Sequence, residues 1–352
     1  MGPLPPNFAP KLALKFLRRS EAMDLSKLKK KTYQTTRGFT YTYYISPAQG
    51  NKPTILLLHG WPDTAKLWAG FINNYLLPNG YGVIAPDLLG YGESSKPTDP
   101  SYYAWDHMAA DLIEILTTEE IPRVVSLGHD WGSSLAQRLY NFFPSRVSGL
   151  IMINVAYNPP AGDFDLDAVN AMLKQTFGLP LYEYWHFICS DDTPGLLREN
   201  LESAYTVVFG EPKTWAKYCC EPGAMREFVT EGQTQPTLSY ATAEHKEDFM
   251  KRFGDKDAFD APTCWYKATV FGIQSEADKL IEEDSQVVNV PTLFWGGEKD
   301  VVCPPAILQL GIQGGYLPNV KSITRDTGHW GQLEKPVEFG EDILAWLQET
   351  FD

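Results

Sequence analysis

Several protein classes are excluded by what the chain lacks. Its 352 residues include five cysteines, Cys189, Cys219, Cys220, Cys264 and Cys303, and no two are spaced C-x-x-C. An odd count without that spacing argues against a disulfide framework and against a zinc site. No Asn-x-Ser/Thr sequon occurs. No apolar run approaches the roughly 20 residues of a membrane span, the stretch Ile55-Leu56-Leu57-Leu58 being typical. The opening segment MGPLPPNFAPKLALKFLRRS makes a poor secretory signal, because prolines come first and Lys15 interrupts the short apolar stretch 12–17. These absences fit a reduced, cytoplasmic protein without stable membrane insertion. An N-terminal helix resting on the core is expected around 12–17, the alternative being a basic amphipathic helix that touches a membrane surface. Basic residues are also in deficit. Lys and Arg number 30 against 44 Asp and Glu, a net charge of -14. That field repels a phosphate backbone and excludes nucleic acid as a partner.

What is present reads as a packed globular protein, 43% hydrophobic and 21% charged. The length suits one α/β core carrying an insertion. Residues 33–36 and 39–45 predict a hairpin around Arg37-Gly38. Residues 54–58, 82–85, 123–127, 149–153 and 292–295 are short continuous apolar runs, as expected of buried parallel strands. Helical patterns lie between them. Over 106–117 Met108, Leu112, Ile115 and Leu116 share one side, and over 133–143 Leu135, Leu139 and Phe142 do the same. Strand and helix alternate from about 54 to 153, which predicts a mostly parallel sheet flanked by helices. The alternation stops from about 159 to 271, where Tyr, Trp, Phe and Glu fill short helical patterns, and the strand signal resumes near Val290. The expected organisation is an N-terminal extension (1–30), a first core half (31–157), an all-helical lid (158–272) and a second core half (273–352). The lid is expected to cover the sheet edge where loops gather. Monomer and homodimer are equally compatible with this pattern.

The strongest chemical signal is Gly128-His129-Asp130-Trp131-Gly132, set between a strand and a helix. Small residues two before and two after a central side chain define a nucleophile elbow, a sharp turn that lifts that side chain above the sheet. It also sits at a helix N-terminus, where free N–H groups favour negative charge. An N-cap role is the ordinary alternative for such an Asp. The central residue is Asp130, not Ser. A carboxylate is already ionised and needs no activating base. It attacks acyl groups poorly, because it leaves as easily as it enters, but it suits displacement at an sp³ carbon. The resulting ester needs water and a base. His329, in Gly328-His329-Trp330, follows the strand-like segment 320–324. Asp300, in Gly296-Gly297-Glu298-Lys299-Asp300, follows the strand at 292–295 and is the candidate to orient His329. The order nucleophile, acid, histidine is that of a hydrolase triad on an α/β core. After the strand TILLL comes His59-Gly60-Trp61-Pro62. The backbone N–H groups of Trp61 and Trp131 are the candidate oxyanion donors, and His59 reads as a support of its loop. Asp87 reads as a turn or capping residue.

The segments HGWP, PDLLGYGESSKP, GHDWGS, GGEKD and TGHW, in this order, resemble the epoxide hydrolases of the α/β-hydrolase fold. The likeness is to the soluble microbial and plant type and to the C-terminal domain of the mammalian soluble enzyme, over about residues 32 to 350. It implies hydrolysis of a small apolar epoxide to a vicinal diol, with no metal or organic cofactor. It also implies two lid tyrosines that hold the epoxide oxygen. Thr263-Cys264-Trp265-Tyr266-Lys267 resembles the family's NWYRN segment and supplies Tyr266. Leu181-Tyr182-Glu183-Tyr184-Trp185-His186-Phe187 resembles GYWxFF and favours Tyr184, with Tyr182 as the other choice, because Glu183 stands where the family often has Gly. HGWP and GHDWG are shared with haloalkane dehalogenases, so a dehalogenase using Asp130 is the rival reading.

Overall fold

The computed structural model describes residues 23–160 and 162–352; the helix expected at 12–17 lies outside them. Eight strands form one sheet: β1 (Lys29–Gln34), β2 (Thr40–Ser46), β3 (Thr54–Leu58), β4 (Gly82–Pro86), β5 (Val124–His129), β6 (Val147–Ile153), β7 (Thr292–Gly297) and β8 (Val320–Arg325), in the order β1-β2-β4-β3-β5-β6-β7-β8. β1 and β2 are antiparallel to their neighbours, and every pairing from β4 through β3 and β5 to β8 is parallel. The apolar runs become the interior strands because each is covered on both faces. Ile55, Leu56, Leu57 and Leu58 are all buried.

The second hairpin strand lies within one residue of the expected 39–45, but the first lies earlier than 33–36. β1 begins at Lys29, inside the segment 1–30 read as an extension, and ends at Gln34, so the turn takes residues 35–39. The reason is charge. β1 opens with Lys29-Lys30-Lys31 on an edge strand, where lysines deter further pairing and erase the apolar alternation that marks a strand.

Helix α1 (Trp105–Thr118) buries Met108, Leu112, Ile115 and Leu116. Helix α2 (Trp131–Phe142) buries more than an amphipathic stripe. Gln137, Arg138 and Asn141 are also buried, whereas Phe142 is only partly so. These polar groups are satisfied by the root of the insertion. Arg138 makes a two-bonded ion pair with Asp278 at 2.6 and 2.7 Å, and Gln137 donates to the Ala156 carbonyl at 3.1 Å. A buried charge needs such a partner to be tolerated.

Between β6 and β7 the described elements are helices, apart from one isolated bridge pairing Gly210 with Thr237. Among them are α3 (Leu166–Phe177), α4 (Trp185–Ile188), α5 (Pro212–Tyr218), α6 (Ala243–Phe253) and α7 (Asp260–Val270). Polar contacts fasten this helical insertion to core loops. Trp265 on α7 donates to the Leu89 carbonyl at 2.9 Å, and Arg252 on α6 donates to the Pro62 carbonyl at 2.6 Å. Among the described residues, no helix is long and apolar enough to cross a membrane.

Candidate active site

Asp130 stands between β5 and α2 with φ 56° and ψ −129°, a left-handed conformation that is costly for a residue with a side chain. The flanking glycines make this turn possible. A Cβ on Gly128 would lie 2.0 Å from the Gly132 carbonyl oxygen, and one on Gly132 would lie 2.2 Å from that of Leu58. Asp130 starts α2 without a side-chain capping bond, so its carboxylate is not used as an N-cap. Instead the Trp61 N–H donates to Asp130 Oδ1 at 2.7 Å. Burial alone would discourage ionisation of Asp130. Hydrogen bonding and positive charge from His329, with the Trp131 N–H, outweigh it and hold the carboxyl below its ordinary range.

His329 and Asp300 meet Asp130 from the ends of neighbouring strands, on the carboxyl edge of the parallel sheet where such folds bind ligands. His329 Nδ1 lies 2.7 Å from Asp300 Oδ2, and His329 Nε2 lies 3.5 Å from Asp130 Oδ2. Asp300 is fixed in turn, because its Oδ1 accepts the N–H groups of Val302 at 3.2 Å and Cys303 at 3.0 Å. Burial disfavours a charged imidazole, but the Asp300 charge and contacts with Asp130, Asp300 and Cys303 prevail, so His329 is held well above the usual histidine range.

His59 bridges two loops. Its Nδ1 lies 2.9 Å from the Gly60 carbonyl oxygen and its Nε2 accepts the Leu88 N–H at 3.0 Å. Burial lowers it to about 3, so it is neutral, with the Nδ1 proton donated to Gly60. Asp87 is more than a turn residue, since its two oxygens accept the N–H groups of Ala65 and Glu93, both at 3.0 Å.

Tyr266 projects from α7 into an aromatic box. Its ring lies 5.0 Å from Trp131, 5.5 Å from Trp185, 6.0 Å from Tyr184 and 6.1 Å from Trp61, each edge to face. Tyr184, at the start of α4, is the neighbour that adjoins both Tyr266 and the field of Asp130. Tyr182 stacks on Trp185 at 4.7 Å and also lies in the field of Asp130 and Asp300. Burial above all pushes all three phenols upward, and the Asp130 charge adds to it, so all keep their protons and can donate them.

Four residues of this site were not anticipated. His129 Nε2 lies 2.8 Å from the His329 carbonyl oxygen. Asn154, itself at φ 62°, donates to the same carbonyl and accepts the Gly297 N–H at 2.9 Å. Asp63 is buried, within the field of Asp130 and His329, and accepts the Trp330 indole N–H at 2.8 Å. Cys303 sits beside His329 and Asp300. Only His129 carried a local signal, its place beside Asp130; the others depend on contacts between distant segments.

Residues 53–336 match the family described as alpha/beta hydrolase fold. The chain belongs to that family. It is 27% identical over 312 residues to the mouse bifunctional epoxide hydrolase 2, covering 85% of this chain and 52% of that protein. It therefore spans about half the length of that mammalian relative. It is 27% identical over 298 residues to epoxide hydrolase 1 of Siraitia grosvenorii, covering 84% of this chain and 85% of that protein. Its fold superposes on epoxide hydrolase A from Mycobacterium thermoresistibile with a TM-score of 0.72 at 21% identity, covering 91% of this chain and 98% of that one. These likenesses agree with the fold expected from the motifs.

Proposed function

We propose that the protein hydrolyses apolar epoxides to vicinal diols through an alkyl ester on Asp130. The observation that carries this reading is the identity of the elbow residue. An ionised carboxylate, not a hydroxyl, occupies the buried elbow, with one oxygen already held by the Trp61 N–H. Asp130 Oδ2 attacks one epoxide carbon, the ring C–O bond breaks, and Tyr266 and Tyr184 donate to the departing oxygen. The Asp130 ester is uncharged, so His329 loses one of the two anions that raise it. Its imidazole then gives up its proton more readily, at the stage that requires a base. Water loses a proton to His329, backed by Asp300, and attacks the ester carbon. The N–H groups of Trp61 and Trp131 hold the oxyanion on Oδ1, and a donor of that kind is worth roughly 3–4 kcal/mol of barrier. The diol leaves and Asp130 is restored. In this reading residues 158–272 act as the lid, and the chemistry asks for no metal or organic cofactor.

Assay of purified protein against an aryl epoxide, a fatty-acid epoxide and a haloalkane tests the reading. Diol should form from at least one epoxide without halide release. Chloride release from the haloalkane, with neither epoxide consumed, would replace it with a dehalogenase.

A further inference from the structure

We propose that Cys303, His329 and Asp300 form a latent binding site for a soft divalent cation of the zinc and cadmium type, and that filling it blocks ester hydrolysis. The blocking half rests on the function proposed above; the binding half does not. Cys303 has no part in the two-step scheme, yet the turn after β7 brings it there. Its own N–H and that of Val302 wrap onto Asp300 Oδ1, at 3.0 and 3.2 Å, which turns the chain back over the carboxylate. One ligating atom from each of Asp300, Cys303 and His329 lies within 4.8 Å of the other two. Asp300 Oδ2 and His329 Nδ1 are already 2.7 Å apart.

The donor chemistry is selective. Thiolate, imidazole and carboxylate together suit zinc and its heavier congener, whereas magnesium and calcium prefer all-oxygen sites. Bonds of about 2.0–2.3 Å in a tetrahedral site put ligand atoms roughly 3.3–3.8 Å apart. The triangle therefore needs adjustment of about 1 Å, and Cys303, only partly buried, is the member free to supply it. Three protein ligands leave a fourth position for water. The neighbouring Asp130 carboxylate, 3.5 Å from His329 Nε2, adds to the negative field that draws a cation in. On binding, a sulfur–metal bond replaces the S–H bond of Cys303 and a nitrogen–metal bond replaces one N–H bond of the His329 imidazolium, and both protons pass to solvent. The imidazole and Asp300 become ligands, so His329 no longer serves as the base. Attack by Asp130 does not need that base, and the alkyl ester accumulates.

The test uses the full chain and cadmium chloride. The cadmium–thiolate ultraviolet charge-transfer band is titrated in wild type, Cys303→Ala and His329→Gln. The first variant should lose the tightest phase of the band, while Cys189, Cys219, Cys220 and Cys264 supply whatever weaker absorbance is left. Loss of an outer partner typically costs about 10–100-fold in metal affinity, so removing the His329 ligand should weaken that phase by no less. Cadmium or zinc should also slow epoxide turnover, reversibly on chelation, and magnesium should not. Each protein's metal-free rate is its own reference, and Cys303→Ala should need roughly tenfold more metal. Intact mass of the cadmium-inhibited wild type should show substrate bound to the protein. A band in Cys303→Ala identical to wild type overturns the site, and equal inhibition of both proteins overturns the block. If no epoxide is turned over at all, the band titration still decides the site, and only the proposed function fails.

Discussion

His129 holds the backbone of His329: its Nε2 lies 2.8 Å from the His329 carbonyl oxygen, and the two rings are 4.7 Å apart. Burial lowers His129 to about 3, so it is neutral, and it bonds a carbonyl only by carrying its proton on Nε2. The residue before the proposed nucleophile thus fixes the loop that carries the proposed base. His129→Phe keeps a ring and removes the bond, worth about 0.5–1.5 kcal/mol of position. A small misplacement of a catalytic group can cost about 10²-fold in rate. The expected outcome is a 10- to 100-fold fall in kcat, as an order-of-magnitude range, with KM little changed. Steady-state kinetics checks it; a changed KM with normal kcat would refer His129 to substrate binding instead.

Asp130 and His329 should separate into two half-reactions. His329→Gln keeps a side chain that can hydrogen-bond but removes the base for water. It should form the ester and stall, leaving substrate mass on the peptide that contains Asp130. Asp130→Ala should carry no adduct and form no diol, with its fold intact by circular dichroism. In ¹⁸O-labelled water, a single turnover of wild type should put label into Asp130 and not into the diol, because water attacks the ester carbon. Label found first in the diol would mean direct attack by water on the epoxide.

The sheet and the elbow were readable because their signals are local. The runs at 54–58 and 292–295 are continuous, and the glycines around Asp130 fall where a Cβ would strike backbone. Asp300 and His329 could be expected to meet because each follows a strand, and the ends of parallel strands lie on one edge. Edge strand β1 was misplaced because lysines hide its period. Asp63 and Asn154 were not readable at all. Asp63 matters through Trp330, which lies 267 positions away, and Asn154 through the carbonyl of His329. No window of sequence contains such pairs. The burial of Arg138 had the same cause, since its partner Asp278 lies 140 positions away, across the helical insertion.

Asp63 should show in the pH dependence of stability. Burial raises it from 3.8 to about 6, and the Trp330 hydrogen bond offsets this only in part. Between those values the folded protein holds a proton that the unfolded chain has released. Stability therefore falls as pH rises through the window from about 4 to about 6, and the full cost of the buried charge is present above it. Roughly two units correspond to roughly 3 kcal/mol. Asp63→Asn keeps an oxygen for the Trp330 N–H and removes the charge. Relative to wild type it should gain stability at pH 7.5, up to that amount, and show little gain at pH 4. Urea unfolding of both proteins across this range measures the difference. A gap independent of pH would show that Asp63 is ionised without cost.

The proposed epoxide-holding tyrosines, Tyr184 and Tyr266, should control epoxide opening and nothing after it. Tyr266 touches four aromatic rings, so Tyr266→Phe preserves the packing and removes only the hydroxyl. Tyr184 can still donate one hydrogen bond, so turnover should fall without vanishing. Loss of one such donor typically costs about 10²–10⁴ in rate. The pair Tyr184→Phe with Tyr266→Phe leaves the developing alkoxide with no phenol from this pair and should be close to inactive. Hydrolysis of the Asp130 ester does not use these hydroxyls, so stopped-flow traces of the single variants should show slow alkylation and no build-up of adduct. Tyr182 is the internal control. Its ring stacks flat on Trp185 at 4.7 Å, whereas Tyr184 stands edge-on to Tyr266. Tyr182→Phe should therefore leave the alkylation rate within a few-fold of wild type, well short of the loss of a donor. If Tyr182→Phe is crippled and Tyr184→Phe is silent, the second donor is Tyr182, and the assignment in this lid segment moves by two residues. If all three single variants are silent while a haloalkane releases chloride, the pocket handles halide and the epoxide reading fails.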